Sequence, residues 1–381
     1  MKINNKLLSE ILSRTEGDFA PFYIYDSEKI RENCRVFYQI PYKNKAVHFA
    51  TMANINHEFL KIVKTEKINV FVNSLLHMKA VQDAGFNGSE IVFTSSGQNK
   101  ETMIKIHKAG AQINLDSPNQ LAQWQKLFPN EKVGIRCNIG DKVEPYSTRA
   151  GFFIGSQSRL GFTIDEMKNI QDKHIIKGLH LYAGTDIFDT NYFLSCYNEL
   201  IDLSLLFPNI EYLNFGGGFG VSEDGETNFD VKSYGIKVSE LMNKASELHK
   251  KDLKLILEPG RIIGGIAGYF ATSVSDIKDR ENQILAGLNA STTQFSRPLL
   301  YPETANHPAL VIRNGAILDK KDTKVTTIFG SSTYSRDIFC KDRHLPELKI
   351  GDIVVFGNGG SYSASSYTEF LGFQKPEEFF I

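Results

Sequence analysis

Eight short runs of β-branched and aromatic residues, about 20 to 40 residues apart and mostly followed by helical periodicity, constrain this chain more than any other feature. Strands that alternate with helices predict βα units on a parallel sheet. The runs are Ala46 to Thr51, Ile68 to Asn73, Glu90 to Ser95, Gln112 to Asp116, Lys132 to Cys137, Gly178 to Ala183, Glu211 to Phe215 and Leu253 to Glu258. Eight is the count of a (β/α)8 barrel. Between them, Glu58 to Lys64 puts Phe59, Leu60 and Val63 on one side, and Val231 to His249 offers Val238, Leu241 and Leu248 as a packing stripe. After Glu258 the helices stop: Tyr269 to Val274, Ala309 to Arg313, Val325 to Phe329 and Ile353 to Phe356 read as an all-β domain, to which Phe22 to Asp26 can add a strand. The expected fold is therefore α/β, a (β/α)8 TIM-type barrel over residues 29–265 and a second all-β domain from 1–28 with 266–381.

A chain of 381 residues with 41% hydrophobic and 23% charged residues can bury a sizeable core, and its net charge of -1 gives no reason to expect nucleic acid or an acidic membrane. Small molecules are the expected partners. Cys34, Cys137, Cys196 and Cys340 have no metal-type spacing, which fits a reduced, cytoplasmic setting. Neither a signal-peptide-like apolar core nor an apolar run of roughly 18 residues is present.

In a barrel the chemistry lies at the C-terminal strand ends. There, Asn214-Phe215-Gly216-Gly217-Gly218-Phe219-Gly220 would let backbone amides approach an anion, although glycines serve plain turns equally well. Leu257-Glu258-Pro259-Gly260-Arg261 ends the last barrel strand with a carboxylate and an arginine; taken alone it is a turn with a salt-bridged arginine. His48, His77 and His180 fall on or near strand ends, where three histidines are more often core or rim residues than a metal site, and no metal is expected. Met52, closing the run Val47-His48-Phe49-Ala50-Thr51-Met52-Ala53-Asn54, reads by itself as a packed methionine.

Taken together these segments resemble the pyridoxal-phosphate-dependent amino-acid decarboxylases of fold type III, the diaminopimelate and ornithine decarboxylase family related to alanine racemase. Val47 to Asn54 resembles its Tyr-Ala-x-Lys-Ala-Asn motif, and Glu-Pro-Gly-Arg after a Gly-Gly-Gly-Phe loop is its cofactor grip. Ser158-Arg159-Leu160-Gly161-Phe162, Arg297-Pro298-Leu299-Leu300-Tyr301 with His307, Gly351-Asp352, Gly359-Gly360-Ser361-Tyr362 and Phe370-Leu371-Gly372 match further motifs in order. The resemblance implies that Glu258 bonds the pyridine nitrogen, that Arg261, Gly217 and Gly218 hold the phosphate, and that Tyr182, Thr185 and Tyr362 complete the cofactor site. Arg297, with Tyr301, would hold a substrate carboxylate or form a structural ion pair. It also implies a homodimer whose sites combine one subunit's barrel with the partner's β domain.

Departures fall where the family does its chemistry. Met52 stands at the position of the lysine that carries the cofactor, and a thioether cannot form that bond. Thr333, followed by Tyr334, stands at the family cysteine in Gly330-Ser331-Ser332-Thr333-Tyr334-Ser335-Arg336-Asp337. Tyr182 stands at the stacking histidine, and Phe71 and His77 lie where acidic residues are usual. Lys45 precedes its strand, at the wrong end of the barrel, and Lys61 lies on a helix, so neither replaces the lysine. Two readings stay open. Several altered positions favour a divergent or non-catalytic homologue that binds pyridoxal phosphate non-covalently at most, or takes no cofactor and binds an amino-acid-like ligand instead. The alternative is an active decarboxylase of a diamino or amino-dicarboxylic acid whose lysine was deliberately exchanged for methionine.

Overall fold

The computed structural model describes every residue except 2, 223–228, 281–282, 303–304, 320 and 322. It divides into two compact units, one of Arg31–Gly220 with Phe229–Ile262, the other of Met1–Ile30 with Ile263–Ile381 and the described residues Val221 and Ser222.

The first unit is a closed parallel barrel. With β1 reserved for Phe22–Tyr25 of the other unit, its strands are β2 (Lys45–Ala50), β3 (Asn69–Val72), β4 (Ile91–Thr94), β5 (Gln112–Leu115), β6 (Val133–Arg136), β7 (Ile176–His180), β8 (Tyr212–Asn214) and β9 (Lys254–Leu257). Each expected run overlaps one strand, although β7 begins two residues before Gly178 and ends at His180, and β2 closes the ring by pairing with β9 as well as β3. The helices begin where short polar side chains can take up first-turn amides: Asn56, Ser74, Asn99, Ser117, Asp189 and Asp230 each accept such a bond. Phe59, Leu60 and Val63 are buried as expected. The stripe of Val231–His249 differs from expectation, since Val231, Tyr234, Val238, Met242 and Ala245 are buried whereas Leu248 is 57% exposed. At about 100° per residue Leu248 sits roughly 80° from the centre of that stripe, beyond the face that packs.

The second unit is a nine-stranded sheet in the order β13-β12-β16-β10-β11-β14-β15, with β1 pairing antiparallel to β10 and parallel to β17. Here β10 is Gly268–Arg280, β11 Gln283–Leu288, β12 Ala309–Arg313, β13 Ala316–Ile317, β14 Thr323–Phe329, β15 Ile338–Pro346, β16 Ile353–Phe356 and β17 Glu377–Phe380. Alternation along β1 feeds two cores. Phe22 and Ile24 join Leu7, Ile11, Ala271, Ile312 and Val355, while Tyr23 packs against Phe270 and Phe295. Among the described residues no helix is long and apolar enough to cross a membrane.

Candidate functional site

The interior of the barrel is polar toward one end, and its lowest polar layer is organised by one aromatic ring. Tyr212 on β8 extends across β7 and β6, where a Cβ on Gly178 or on Gly134 would overlap it. Its hydroxyl donates to Asn114 Oδ1 at 2.7 Å, and Asn114 Nδ2 donates to Thr94 Oγ1 at 3.0 Å. Two glycines thus make room for a phenol whose polar tip is satisfied within the barrel.

Above that layer, at the strand C-termini, lies Glu258. It is 4% exposed, it accepts from Asn214 Nδ2 at 2.6 Å through Oε1, and His180 Nε2 lies 3.2 Å from Oε2. Because a carboxylate only accepts, Nε2 carries the hydrogen. Burial alone would lift this carboxyl's pKa, but the charge and hydrogen bond of His180 and the bond from Asn214 outweigh it, and the group is held below the usual carboxylate range. The His180 ring stacks near Phe71, with centroids 6.4 Å apart and planes at 22°. Arg136, at the end of β6, lies 3.9 Å from Asp116, which also accepts from the Gly161 amide and so fixes the Ser158 to Phe162 loop.

The glycine run earns its composition first by packing. Side chains on Gly216, Gly217 and Gly218 would strike the carbonyl oxygens of Leu181, Glu258 and Gly184 respectively, and Gly216 and Gly218 have φ of +64° and +100°. The Gly216 amide donates to Asn214 Oδ1 at 2.9 Å, whereas those of Gly217 and Gly218 have no acceptor among the described residues. Arg261 is largely buried and ion-paired with Asp186, in the loop after β7 that also holds Tyr182 and Thr185. Tyr182 packs edge to face on Phe153 at 4.9 Å. Met52 packs partly buried against Ala50, Phe71 and Val92. Lys45 begins β2 and bonds the Tyr42 carbonyl at 3.1 Å, and Lys61 pairs with Glu58 at 3.1 Å on the surface.

The three histidines have separate partners. His180 holds Glu258, His77 Nδ1 lies 2.9 Å from Thr51 Oγ1, and His48 Nε2 lies 3.5 Å from Asn69. Burial pushes the His48 pKa down to about 4, and its Nδ1 has no partner. An unfolded His48 titrates near 6.5, so between roughly pH 6.5 and 4 the unfolded chain binds the extra proton and the fold loses stability as pH falls, by about 3 kcal/mol in all. Urea titrations at pH 7 and pH 4 are expected to differ by correspondingly less in a His48→Gln variant.

The remaining expected site residues belong to the β unit. Arg297 lies over the Tyr301 ring at 5.4 Å, Tyr334 packs edge to face on Phe370 at 5.6 Å, Thr333 is exposed, and Tyr362 has a left-handed φ of 54°. The loop carrying Thr333 is fixed by buried Asp337, which accepts from the amide and hydroxyl of Thr292, from Ser291, and from the amide and hydroxyl of Ser332. Sequence reasoning missed Asp337 in this role, and likewise the pairing of His180 and Asn214 with Glu258. His180, counted above among the strand-end histidines, closes β7 two residues before Tyr182.

Residues 27–265 match the family model described as pyridoxal-dependent decarboxylase, pyridoxal binding domain. The chain is 27% identical over 377 residues to a diaminopimelate decarboxylase of Methanothermobacter thermautotrophicus, covering 95% of this chain and 86% of that protein. It is 25% identical over 393 residues to an L-glutamyl-[BtrI acyl-carrier protein] decarboxylase of Niallia circulans, covering 97% and 90%. The crystal structure of a Helicobacter pylori diaminopimelate decarboxylase complexed with L-lysine superposes with a TM-score of 0.82 at 22% identity, covering 98% of this chain and 94% of that one, a likeness of fold. With the matched segment spanning the whole barrel and the buried glutamate closing its last strand, this chain belongs to the pyridoxal-dependent decarboxylase family.

Proposed function

We propose that this chain is a divergent member of its family that binds pyridoxal phosphate without a covalent link to the protein, or an amino-acid-like ligand. The observation that carries the reading is the buried, ionised Glu258 at the end of β9, held on both oxygens inside the barrel. The residues fit such a group. A carboxylate kept charged away from water needs a cationic or N–H partner, and a pyridinium nitrogen is one. The Gly217 and Gly218 amides, without acceptors among the described residues, suit a phosphate, and Arg261, paired with Asp186, offers a cation for it. When bound, the pyridine ring supplies an electron sink for a carbanion next to an amine.

Each residue then has a bounded role. Within the barrel unit Glu258 holds a proton on the ring nitrogen and Tyr182 and Thr185 frame the ring; in the β unit Arg297 with Tyr301 is suited to a ligand carboxylate. Met52 closes the floor with Ala50, Phe71 and Val92, and offers no amine to attach or release anything. Thr333 cannot act as the thiol that the resemblance expects at that place, and turnover of an ordinary amino acid is slow or absent. The relatives named above differ in what they are named for, a diamino acid in one and a glutamyl carrier protein in the other, and what they share is an amino-acid or aminoacyl group as the ligand class. A homodimer completes the proposal, as the resemblance implies.

The test is a titration with pyridoxal phosphate followed by visible absorbance and equilibrium dialysis, on the unaltered protein and on Glu258→Gln. Loss of a charged acceptor for the ring nitrogen is expected to weaken binding by roughly tenfold to a hundredfold. Equal affinity in the two proteins would remove Glu258 from the site, and no binding in either would end the reading.

A further inference from the structure

We propose that His180 is the positioning residue for Glu258, donating through Nε2 so that the carboxylate stays ionised and faces the ring nitrogen of the cofactor. The inference rests on the reading just given, but it concerns a pair that the chain forms by itself. Glu258 and His180 are 4% and 2% exposed and 3.2 Å apart, the one directly after β9 and the other closing β7, strands that are separated by β8. Asn214, on β8 between them, donates to the other carboxylate oxygen at 2.6 Å, so three adjacent strand ends converge on one carboxylate.

The orientation of the imidazole is over-determined. Its face lies against Phe71, its Nε2 meets Glu258, and its Nδ1 is buried with no hydrogen-bond partner. A hydrogen on Nδ1 would be a buried donor with nothing to receive it, whereas a bare lone pair there is the cheaper vacancy. The ring therefore places its hydrogen on Nε2, facing Glu258. Asn214 alone would supply one neutral hydrogen bond to a carboxylate removed from water, which is too little to keep it charged. His180 supplies the second donor, on the other carboxylate oxygen.

Two substitutions separate the donor from the ring. His180→Phe keeps a flat ring beside Phe71 and removes the donor, while His180→Gln restores a donor without the imidazole. Infrared difference spectra against Glu258→Gln report the carboxyl of Glu258 in cofactor-free protein, and pyridoxal phosphate affinity is read from pH 5 to 8. The unaltered protein is expected to show an ionised carboxylate throughout. His180→Phe is expected to show a protonated carboxyl at the acid end, affinity weaker by roughly tenfold, and an acid limb of binding moved to higher pH. His180→Gln is expected to recover most of the affinity. Unchanged carboxylate bands and affinity in His180→Phe would overturn the assignment, as would a His180→Gln variant no better than His180→Phe. In the unaltered protein, 15N ring signals that placed the His180 proton on Nδ1 alone would overturn it without any variant. If the unaltered protein fails to bind pyridoxal phosphate, the proposed function falls, while the infrared and ring-nitrogen readouts still decide this pair.

Discussion

Met52→Lys is expected to convert reversible binding of pyridoxal phosphate into covalent capture at residue 52. The site around Met52 is built from Ala50, Phe71 and Val92, so a lysine placed there would lose hydration and be driven toward its neutral, nucleophilic amine. That amine is what attack on an aldehyde requires. After borohydride reduction, mass spectrometry should find the variant carrying one cofactor per chain at that position. Release of carbon dioxide from a panel of diamino acids and amino-dicarboxylic acids should stay at background, because Thr333 and Tyr182 still stand where the resemblance expects a thiol and an imidazole. Turnover restored by this one change would instead identify an otherwise complete decarboxylase whose lysine had been exchanged.

The second large effect is structural. Gly178→Ala should destabilise the fold by about 3 kcal/mol, at the upper end of overpacking costs, because the added methyl occupies the space of the Tyr212 ring. Tyr212 cannot swing aside cheaply, since its hydroxyl bonds Asn114, which in turn bonds Thr94. Urea denaturation measures the loss. A double-mutant cycle with Tyr212→Val should show strong coupling, as expected for groups competing for one volume. Simple additivity would mean that the ring does not lie where the glycine leaves room.

The barrel was legible because its signal, a short run of β-branched and aromatic residues before a helical stretch, is repeated eight times. The β unit was legible only where strands are compact and apolar, as at Ala309–Arg313 and Ile353–Phe356. Gln283–Leu288, Ile338–Pro346 and Glu377–Phe380 escaped, and Ile338–Pro346 explains why: Lys341, Asp342 and Arg343 interrupt its hydrophobic alternation, and the pairing with Thr323–Phe329 holds it in the sheet despite that composition.

For the site, the glycine run and Glu258 could be found from motifs, but their partners could not. Nothing local in the sequence links His180 to Glu258, 78 residues away, or Arg261 to Asp186, 75 residues away. Only closure of the ring brings them together. One signal was present: at alternate positions the strands carry Asn114 and Asp116, Gly178 and His180, Tyr212 and Asn214, then Ile256 and Glu258. A period of two with polar residues recurring toward the strand ends marks the side chains that fill the barrel interior.

The central claim is that this chain keeps a charged anchor for the pyridine ring at Glu258 and has no covalent anchor at Met52. Dialysis of the unaltered protein loaded with pyridoxal phosphate, run in parallel with borohydride reduction and peptide mapping, tests it most directly. The account predicts saturable binding that dialysis removes, with no cofactor fixed to any barrel residue after reduction. A cofactor that survives dialysis and maps stoichiometrically to one lysine of the barrel would contradict it.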